Sequence, residues 1–308
     1  RESSVVINGT YSTEKLRIKS GVVQGTVSGP LLFLFYIDDI VANLPPLVGS
    51  VLFADDLKIY SHDPPALQKA IDMVVNWSES YGMPLADEKT ALLHLGKRNK
   101  HHRYALKGNT IEPSIVTKDL GVLIDNKMSF ENHINKIANV AMVRVRQLAH
   151  CFKFSNSEIL MNIFNIYVLP QIEYASTIYN PPPHSNLTKV LERPLRYYTK
   201  IICRRNNIET SNYNDRLNQL GIKSLYFRRN MLDLIEVYKI IKSDGFCEHN
   251  PFILSKNRRH PFRLIRNPNI YHNENWFFNR TEKTWNSICS NMSNIQSIDQ
   301  FKKNAYVA

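Results

Sequence analysis

A pair of adjacent aspartates between two apolar segments constrains the fold of this chain most. Asp55 and Asp56 lie within residues 51–60, which read VLFADDLKIY. The apolar flanks have the composition of strands, so they predict two paired strands with the carboxylates at or near the turn. Two carboxylates fixed on a rigid hairpin offer oxygen ligands to a hard cation such as Mg²⁺, which prefers to share them with phosphate. The pair therefore predicts metal-dependent phosphoryl transfer, the chemistry of polymerases and nucleases.

The hydrophobic periodicity divides the chain into a mixed part and a helical part. A strand followed by a turn is predicted over residues 5–12, and further short strands over 14–19, 90–95 and 118–124. A buried helix is predicted over 31–40, and an amphipathic helix from Pro64 onward. Long helical patterns then cover residues 131–152, 157–168, 187–203 and 225–242. The first ~130 residues are therefore expected to mix α and β, with a mostly α-helical remainder, which is an α+β fold.

The charge of the chain favours a polyanionic partner. The net charge is +12, and residues 189–229 alone hold ten basic and three acidic residues. Aromatic rings lie among these cations, at Tyr197, Tyr198, Tyr213, Tyr226 and Phe227. Cations that neutralise phosphates, together with rings that stack on bases, predict a nucleic-acid surface. The simpler alternative is a solvated basic helix face.

Several other features argue against further functional classes. The four cysteines lie more than forty residues apart, so we expect free thiols in an intracellular protein and no structural zinc site. The longest apolar run, Leu31 to Ile37, is too short to cross a bilayer, so no membrane partner is expected. A second acidic pair, Asp38 and Asp39, lies at the end of the predicted buried helix and is expected to terminate it.

Several motifs in order along the chain resemble a known family. Residues 21–33 (GVVQGTVSGPLLF), 53–56 (FADD), 85–90 (LADEKT) and 118–122 (KDLGV) are similar to segments of the reverse transcriptase of jockey-like non-LTR retrotransposons. The resemblance continues through residues 191–205, 216–229 and 285–302. It implies a partial polymerase palm at 1–130, a helical thumb with a basic helix at 131–206, and a mostly helical C-terminal region at 207–308.

The resemblance also implies a reaction and its partners. The family is an RNA-directed DNA polymerase that extends a DNA 3′ end on an RNA template, using deoxynucleotides and two Mg²⁺ ions. The implied partners are the RNA template, the DNA primer, the deoxynucleotide, and the upstream palm, fingers and endonuclease regions of a parent polyprotein. A nuclear or cytoplasmic ribonucleoprotein is the expected location.

Roles for individual residues follow from the same resemblance. Asp55 is expected to be a direct metal ligand and Asp56 a weaker or indirect one. Gln24 and Gly25 are expected to grip the template base and shape the nucleotide pocket. Lys89 would neutralise a phosphate or act as a general acid, with a plain surface lysine as an equal alternative. Leu120 and Gly121 are expected to shape the turn that guides the primer end. The expected contacts to the nucleic-acid backbone are Arg193, Arg196, Lys200, Arg204 and Arg205.

The chain departs from the family pattern at three places. Val23 and Ser28 stand where proline and leucine are usual, and no aspartate occurs among the twenty residues before Gly21. The family's first catalytic aspartate lies on a strand upstream of that glycine. We therefore expect this chain to be inactive alone. The alternative is a non-catalytic nucleic-acid-binding remnant, decayed or domesticated, whereas a metal-dependent nuclease would need further carboxylates or histidines.

Overall fold

A computed structural model describes residues 2–4, 6–11, 16–17, 21–22, 25–242, 252–255, 262–265, 276–289, 295 and 297–307. The chain forms two compact units, residues 1–114 and residues 115–308. Small sheets and helices occur together, so the predicted α+β class is confirmed.

Unit 1, residues 1–114, combines two-stranded sheets with three helices. Its elements are β1 (Glu2–Ser3), β2 (Val6–Ile7), β3 (Thr10–Tyr11), β4 (Leu16–Arg17), α1 (Ser28–Ile37), α2 (Asp39–Ala42), β5 (Gly49–Phe53), β6 (Asp56–Tyr60), α3 (Pro64–Ser80), a 3₁₀ turn (Asp87–Lys89), β7 (Leu92–Leu93), β8 (Tyr104–Leu106), β9 (Asn109–Ile111) and β10 (Pro113–Ser114). The pairs β1–β4, β2–β3, β5–β6 and β8–β9 are antiparallel, and β7–β10 is parallel. Within the described residues, every sheet of this unit has two strands.

Helix α3 organises the core of unit 1. It begins where predicted, because Pro64 and Pro65 occupy its first turn and the Asp63 carboxylate accepts a hydrogen bond from the Ala66 amide at 3.3 Å. Its buried Val74 packs with α1, α2 and the β5–β6 hairpin, while Ile71 packs with β8 and β9. The hairpin with the two aspartates is thus held from one side by apolar packing.

The prediction of a buried helix over residues 31–40 is wrong. Helix α1 covers 28–37, and it buries only the side that carries Gly29 and Ile37. Leu31, Leu32, Leu34, Phe35 and Tyr36 are exposed, and Phe35 is 80% exposed. A helix that is apolar on all sides needs cover on all sides, and the described residues cover one stripe.

Unit 2, residues 115–308, is mostly α-helical. Its elements are β11 (Val116–Asp119), β12 (Val122–Asp125), α4 (Glu131–Cys151), α5 (Ser157–Tyr167), α6 (Leu169–Glu173), α7 (Ser176–Tyr179), α8 (Asn186–Arg205), α9 (Tyr213–Gln219), α10 (Leu225–Lys242), β13 (Ile253–Leu254), β14 (Leu264–Ile265), α11 (Phe277–Ile288) and α12 (Ile298–Val307). The four predicted long helices are confirmed with small shifts at their ends. The single strand predicted at 118–124 is instead part of the β11–β12 hairpin, which turns at Leu120 and Gly121.

Two apolar cores stabilise unit 2. Helices α4 and α8 pack along each other in the larger core, around residues such as Ile134, Leu191 and Tyr198. The smaller core joins α10, α11 and α12 around the fully buried Trp285. Such aromatic burial contributes a large share of core stability.

Two of the predicted absences can be compared with the described residues. Cys151, Cys203 and Cys289 are free thiols, whereas Cys247 lies outside the described residues. In the described part of the chain, no helix is both long enough and apolar enough to span a bilayer.

Candidate active site and nucleic-acid surface

The two aspartates lie at the tip of the β5–β6 hairpin, as predicted. Strands β5 and β6 pair in antiparallel register from Gly49 opposite Tyr60 to Phe53 opposite Asp56. Ala54 and Asp55 are therefore the two loop residues, and Asp56 begins β6. Ala54 has a φ of 50°, in the left-handed region that alanine rarely adopts. Backbone strain of this kind is often concentrated at functional sites.

The hairpin buries one face and exposes the other. Alternation along the strands turns Leu52 and Leu57 inward, toward the apolar cluster with Val74. Asp55 and Asp56 are both exposed, and neither side-chain carboxylate forms a hydrogen bond or ion pair with another described residue. Free, solvated carboxylates on a packed hairpin are available to bind a cation.

A glycine and a tyrosine close the other end of the hairpin. Gly49 lies opposite Tyr60, and a Cβ built on Gly49 would overlap the ring of that tyrosine at Cζ. The ring therefore lies directly over the glycine backbone, an arrangement that compensates for the missing side chain on an exposed strand face.

The donor chemistry of the hairpin tip fits Mg²⁺ in part. Asp55 and Asp56 supply hard oxygen ligands on adjacent residues, which is the donor type that Mg²⁺ takes from proteins. The described residues contain no group of three or more histidine, cysteine, aspartate or glutamate side chains able to hold a metal. The hairpin can thus supply two carboxylate ligands to a metal ion, and other oxygens would have to complete the coordination shell.

The remaining predicted site residues of unit 1 lie in turns. Gly25 is exposed and has a φ of 80°, which requires glycine-like freedom, while Gln24 lies outside the described residues. Lys89 is exposed at the end of the 3₁₀ turn. Asp39 accepts a hydrogen bond from the Tyr81 hydroxyl at 2.7 Å, so it has a structural partner, unlike Asp55.

The turn between β11 and β12 is tight and left-handed. Leu120 has a φ of 43° and Gly121 a φ of 89°, as in the type I′ turn that matches the twist of a hairpin. The Tyr174 hydroxyl donates a hydrogen bond to the Leu120 carbonyl at 2.7 Å. The same ring lies beside Gly121, where an added Cβ would meet Cε1 at 3.4 Å. Helix α6 is thus connected to the turn by the tyrosine that follows it.

A buried carboxylate fixes the segment between this hairpin and α4. Asp125 accepts hydrogen bonds from the amides of Lys127, Ser129 and Phe130 and from the Ser129 hydroxyl, at 2.7 to 3.1 Å. Burial raises the pKa of Asp125, but these hydrogen bonds outweigh it, so the pKa lies below its usual value.

Helix α8 carries an exposed basic stripe. Arg193, Arg196, Lys200 and Arg204 recur at three- and four-residue spacing and are all exposed. These four residues are called the basic stripe below. The Arg196 guanidinium stacks over the Tyr213 ring, with Cζ 4.0 Å from the centroid. Arg205, predicted with them, is half-buried, and its Nη1 is enclosed without a hydrogen-bond partner, so it points away from the stripe.

The wider basic region is less available than the sequence predicts. Tyr198 and Tyr213 are buried and cannot stack on bases, whereas Tyr197 is exposed. Arg229 is completely buried, and Arg228 forms an ion pair with Glu173 at 2.6 Å. The prediction of a single surface over 189–229 is therefore wrong for these residues, because the segment folds into three helices whose inner faces form the core.

The buried Glu192 is a structural residue that the sequence did not identify. Its carboxylate accepts hydrogen bonds from the amides of Leu225 and Tyr226, at 3.0 and 3.1 Å, and from the Tyr213 hydroxyl. A carboxylate at the first amides of α10 stabilises that helix end. No local signal predicts a cap from a residue more than thirty positions upstream.

A buried polar network joins α7, α10 and α11. The Asp233 carboxylate accepts two hydrogen bonds from the Arg280 guanidinium, at 2.9 and 3.0 Å, and one from the Asn180 amide at 2.8 Å. Arg229 donates from Nε to the Asn180 side-chain oxygen at 3.1 Å. Burial raises the pKa of Asp233, while the hydrogen bond from Arg280 opposes that shift. These residues are structural, although Arg229 belongs to a motif of the resemblance.

Part of this chain matches a known protein family. Residues 3–140, less than half of the chain, match the family described as reverse transcriptase (RNA-dependent DNA polymerase). The span contains Asp55, Asp56, Lys89, Leu120 and Gly121, whereas the basic stripe lies beyond it.

Individual relatives agree with the predicted retrotransposon class. The RNA-directed DNA polymerase from mobile element jockey of Drosophila melanogaster is 25% identical over 206 residues, which is 62% of this chain and 22% of that protein. Its Drosophila funebris counterpart is 27% identical over 215 residues, with the same coverage. An uncharacterized protein of Caenorhabditis elegans is 36% identical over 128 residues, which is 42% of this chain and 64% of that protein.

The chain spans 64% of the nematode relative and about a fifth of each jockey polymerase. It is homologous to these non-LTR polymerases, and the predicted resemblance is confirmed.

Proposed function

We propose that this chain is the part of a non-LTR retrotransposon RNA-directed DNA polymerase that holds the second carboxylate motif of the palm. The observation that carries the proposal is the exposed Asp55–Asp56 pair at the tip of a packed hairpin, within the span of the family match. The strained Ala54 beside the pair supports a functional constraint on this turn.

In this proposal the two aspartates hold Mg²⁺. Asp55 would be a direct ligand and Asp56 a weaker one, each through carboxylate oxygens that lack another described partner. When bound, two Mg²⁺ ions would activate the attacking 3′ hydroxyl and stabilise the leaving pyrophosphate. The hairpin positions both carboxylates, because the strand register fixes the backbone of Asp55 and Asp56 at the tip.

The proposed partners are an RNA template, a DNA primer and a deoxynucleotide. The basic stripe of α8 supports backbone contact, because its side chains are exposed and phosphate neutralisation requires accessible cations. Gln24, Gly25 and Lys89 are proposed for the template base and nucleotide, and Leu120 with Gly121 for the primer end. A nuclear or cytoplasmic ribonucleoprotein remains the proposed location.

We also propose the division predicted by the resemblance: palm sequence at 1–130, thumb and basic helix at 131–206, and a helical region at 207–308. The 308 residues alone are expected to incorporate no nucleotide. Residues 1–20 contain no aspartate, so the metal ligand that the family places before Gly21 would have to come from additional sequence.

The central test is primer extension. The reading frame extended upstream would be expressed together with this chain and assayed for Mg²⁺-dependent incorporation on an RNA template with a DNA primer. Asp55→Asn should abolish incorporation, and Asp56→Asn should reduce it. Asp38→Asn is the matched control, because Asp38 is also exposed and adjacent to a second aspartate. Equal activity in Asp55→Asn and the control would contradict the catalytic role.

The metal role can be measured without activity. In the 308-residue chain, Mn²⁺ in place of Mg²⁺ should broaden NMR signals of residues 53–57 and leave those of Asp38 and Asp39 unaffected. Asp55→Asn should remove the broadening. Uniform broadening over both acidic pairs would refute a specific site.

A non-catalytic nucleic-acid binder is the second candidate, favoured by the accessible basic stripe alone. Both candidates predict that Arg196→Gln and Lys200→Gln weaken binding to primer–template, relative to Lys239→Gln on α10, whose side chain is also exposed. They differ in that only the polymerase predicts incorporation by the extended protein.

A further inference from the structure

A strongly basic loop connects β7 with β8 in unit 1. Residues 95–103 read LGKRNKHHR and are called the basic loop below. The loop contains four lysine or arginine residues and two histidines, and it contains no acidic residue. Short segments with this density of positive charge are typical of surfaces that bind polyanions. The lysine and arginine residues are Lys97, Arg98, Lys100 and Arg103.

The core of unit 1 holds the two ends of the basic loop. Leu92 in β7 and Tyr104 in β8 pack in the apolar cluster around Ile71 of α3. The side-chain amide of Gln68, also in α3, pairs with the backbone of Ala105 through two hydrogen bonds of 2.9 Å. The loop is therefore presented from a packed support, which is the usual setting of binding residues on loops.

Hydrogen bonds within the basic loop fix its backbone. The Asn99 side chain donates to the Leu95 carbonyl at 3.1 Å and accepts from the His101 amide at 2.8 Å. The Asn99 amide donates to the Gly96 carbonyl at 3.2 Å. The ring of His101 contacts the ring of the buried His94, with the two centroids 4.8 Å apart. A loop that is ordered before its ligand arrives loses less conformational entropy on binding.

The positive charges of the basic loop are not neutralised within the protein. All four lysine and arginine side chains are exposed, and none forms a hydrogen bond or ion pair with a described residue. Burial lowers the pKa of His94, and the charge of His101 acts in the same direction, so His94 supports the loop as a neutral ring. Neighbouring cations repel one another unless an anion or salt screens them. The loop therefore favours an anionic partner.

A nucleic acid fits the basic loop better than an anionic membrane does. Binding in a membrane interface needs apolar side chains that enter the lipid, and Leu95 is the single large apolar residue of the loop. A phosphate backbone requires only accessible cations. The loop also lies within residues 3–140, the span that matches the reverse transcriptase family.

We propose that the basic loop is a second phosphate-binding surface of this chain, which contacts the backbone of a nucleic acid independently of base sequence. It would act in addition to the basic stripe of α8, which belongs to unit 2. The proposal goes beyond the proposed function, because neither the resemblance nor the carboxylate pair assigns a role to this loop. It does not require catalysis, so it applies to a polymerase and to a non-catalytic binder alike.

The first test measures how binding depends on salt. The 308-residue chain would be titrated against a short, fluorescently labelled DNA duplex over a series of salt concentrations, as wild type, Arg98→Gln, Lys100→Gln and Lys69→Gln. Lys69→Gln is the matched control, because Lys69 is exposed on α3 of the same unit and lies outside the loop. Each loop variant should reduce the slope of log affinity against log salt by about 0.9, and the control should leave it unchanged.

A second readout uses the wild-type chain, so it does not depend on the folding of a variant. Lysine acetylation followed by mass spectrometry should show that the duplex protects Lys97 and Lys100 and leaves Lys69 unprotected. Vesicles of phosphatidylcholine and phosphatidylserine, used in place of the duplex, should protect none of these lysines.

Two results would overturn the proposal directly: equal slopes for the loop variants and the control, or equal acetylation of the loop lysines with and without duplex. Protection by the vesicles without protection by the duplex would also overturn it, in favour of a membrane surface. Primer extension by the upstream-extended protein decides the proposed function separately. A loop that binds no duplex and a polymerase that incorporates no nucleotide are therefore distinct outcomes.

Discussion

Selected carboxylates of the two compact units differ in their exposure and in their hydrogen bonding. In unit 1 the carboxylates of Asp55 and Asp56, which are proposed to bind metal, are exposed and have no described partner, on a hairpin that buries one face. In unit 2 the carboxylates of Glu192 and Asp233 are buried and fully engaged with amides, a hydroxyl and a guanidinium. Polar groups that are free can bind a ligand, whereas polar groups with several protein partners fix the fold. The comparison separates residues expected to affect binding from residues expected to affect stability.

The largest effect is expected from removal of the Asp233 carboxylate. Asp233→Ala leaves Arg280 and Asn180 without their shared acceptor in the interior and should destabilise unit 2 by about 3–5 kcal/mol. Hydrogen exchange measured by mass spectrometry should show lost protection in α10 and α11. Asp299→Ala is the control, because that side chain is 87% exposed and should cost little. Unchanged protection of α10 in Asp233→Ala would remove the distinction between the units.

Asp125 provides a pH-dependent test within unit 2. Its folded pKa lies below the unfolded value, so its contribution to stability is complete above the unfolded pKa and is lost as the pH falls through the folded value. Asp125→Ala should destabilise the β12–α4 segment by about 2 kcal/mol at neutral pH, through lost charge-assisted hydrogen bonds. The difference in unfolding free energy between wild type and variant should shrink below about pH 4. A difference that grows on acidification would contradict the assignment.

Substitutions at the β11–β12 turn should have smaller effects on stability, and the two substitutions should act in opposite directions. Leu120→Asn should stabilise the hairpin by about 1 kcal/mol, because asparagine adopts left-handed φ more readily than leucine. Gly121→Ala should destabilise it by a similar amount, since Gly121 has a φ of 89°. Chemical denaturation of each variant and of the wild type measures both changes in the free energy of unfolding. Two changes of the same sign would show that the turn is not left-handed at both positions.

The smallest effect is expected on the exposed side of α1. Phe35 is 80% exposed, so Phe35→Ser should change the unfolding free energy by less than about 0.5 kcal/mol. Phe164→Ala in α5 should cost about 3–5 kcal/mol, because that ring is 1% exposed. A large cost for Phe35→Ser would mean that α1 is covered in solution.

The sequence predicted local structure well and distant pairing poorly. The Val51–Tyr60 hairpin and the helix from Pro64 followed from strand composition and from an aspartate–proline start, which are local signals. The apolar α1 was predicted as buried because composition alone does not reveal how many of its sides are covered. Residues 118–124 were predicted as one strand because the turn at Leu120 was missed. Leucine is not a usual residue at a left-handed turn position.

The candidate site was predictable to a similar extent. Asp55, Asp56 and four of the five cations named on α8 have the exposure expected of ligand-binding residues. Arg205 and the rings of Tyr198 and Tyr213 lack that exposure, because they lie on the helix faces that point toward the core. The hydrogen bond from the Leu123 amide to His133 Nδ1 depends on contact between β12 and α4, and such contacts leave no pattern in a single sequence.

The tyrosine that lies over Gly49 gives the carboxylate hairpin a built-in spectroscopic label. Protons held above an aromatic face resonate upfield, so the Gly49 Hα signals should be displaced as long as Tyr60 keeps its position opposite that glycine. This displacement depends on the strand register and on the position of the Tyr60 ring. The integrity of the hairpin that presents Asp55 and Asp56 can therefore be followed through one glycine, at the end of the strands remote from the carboxylates, without altering either aspartate.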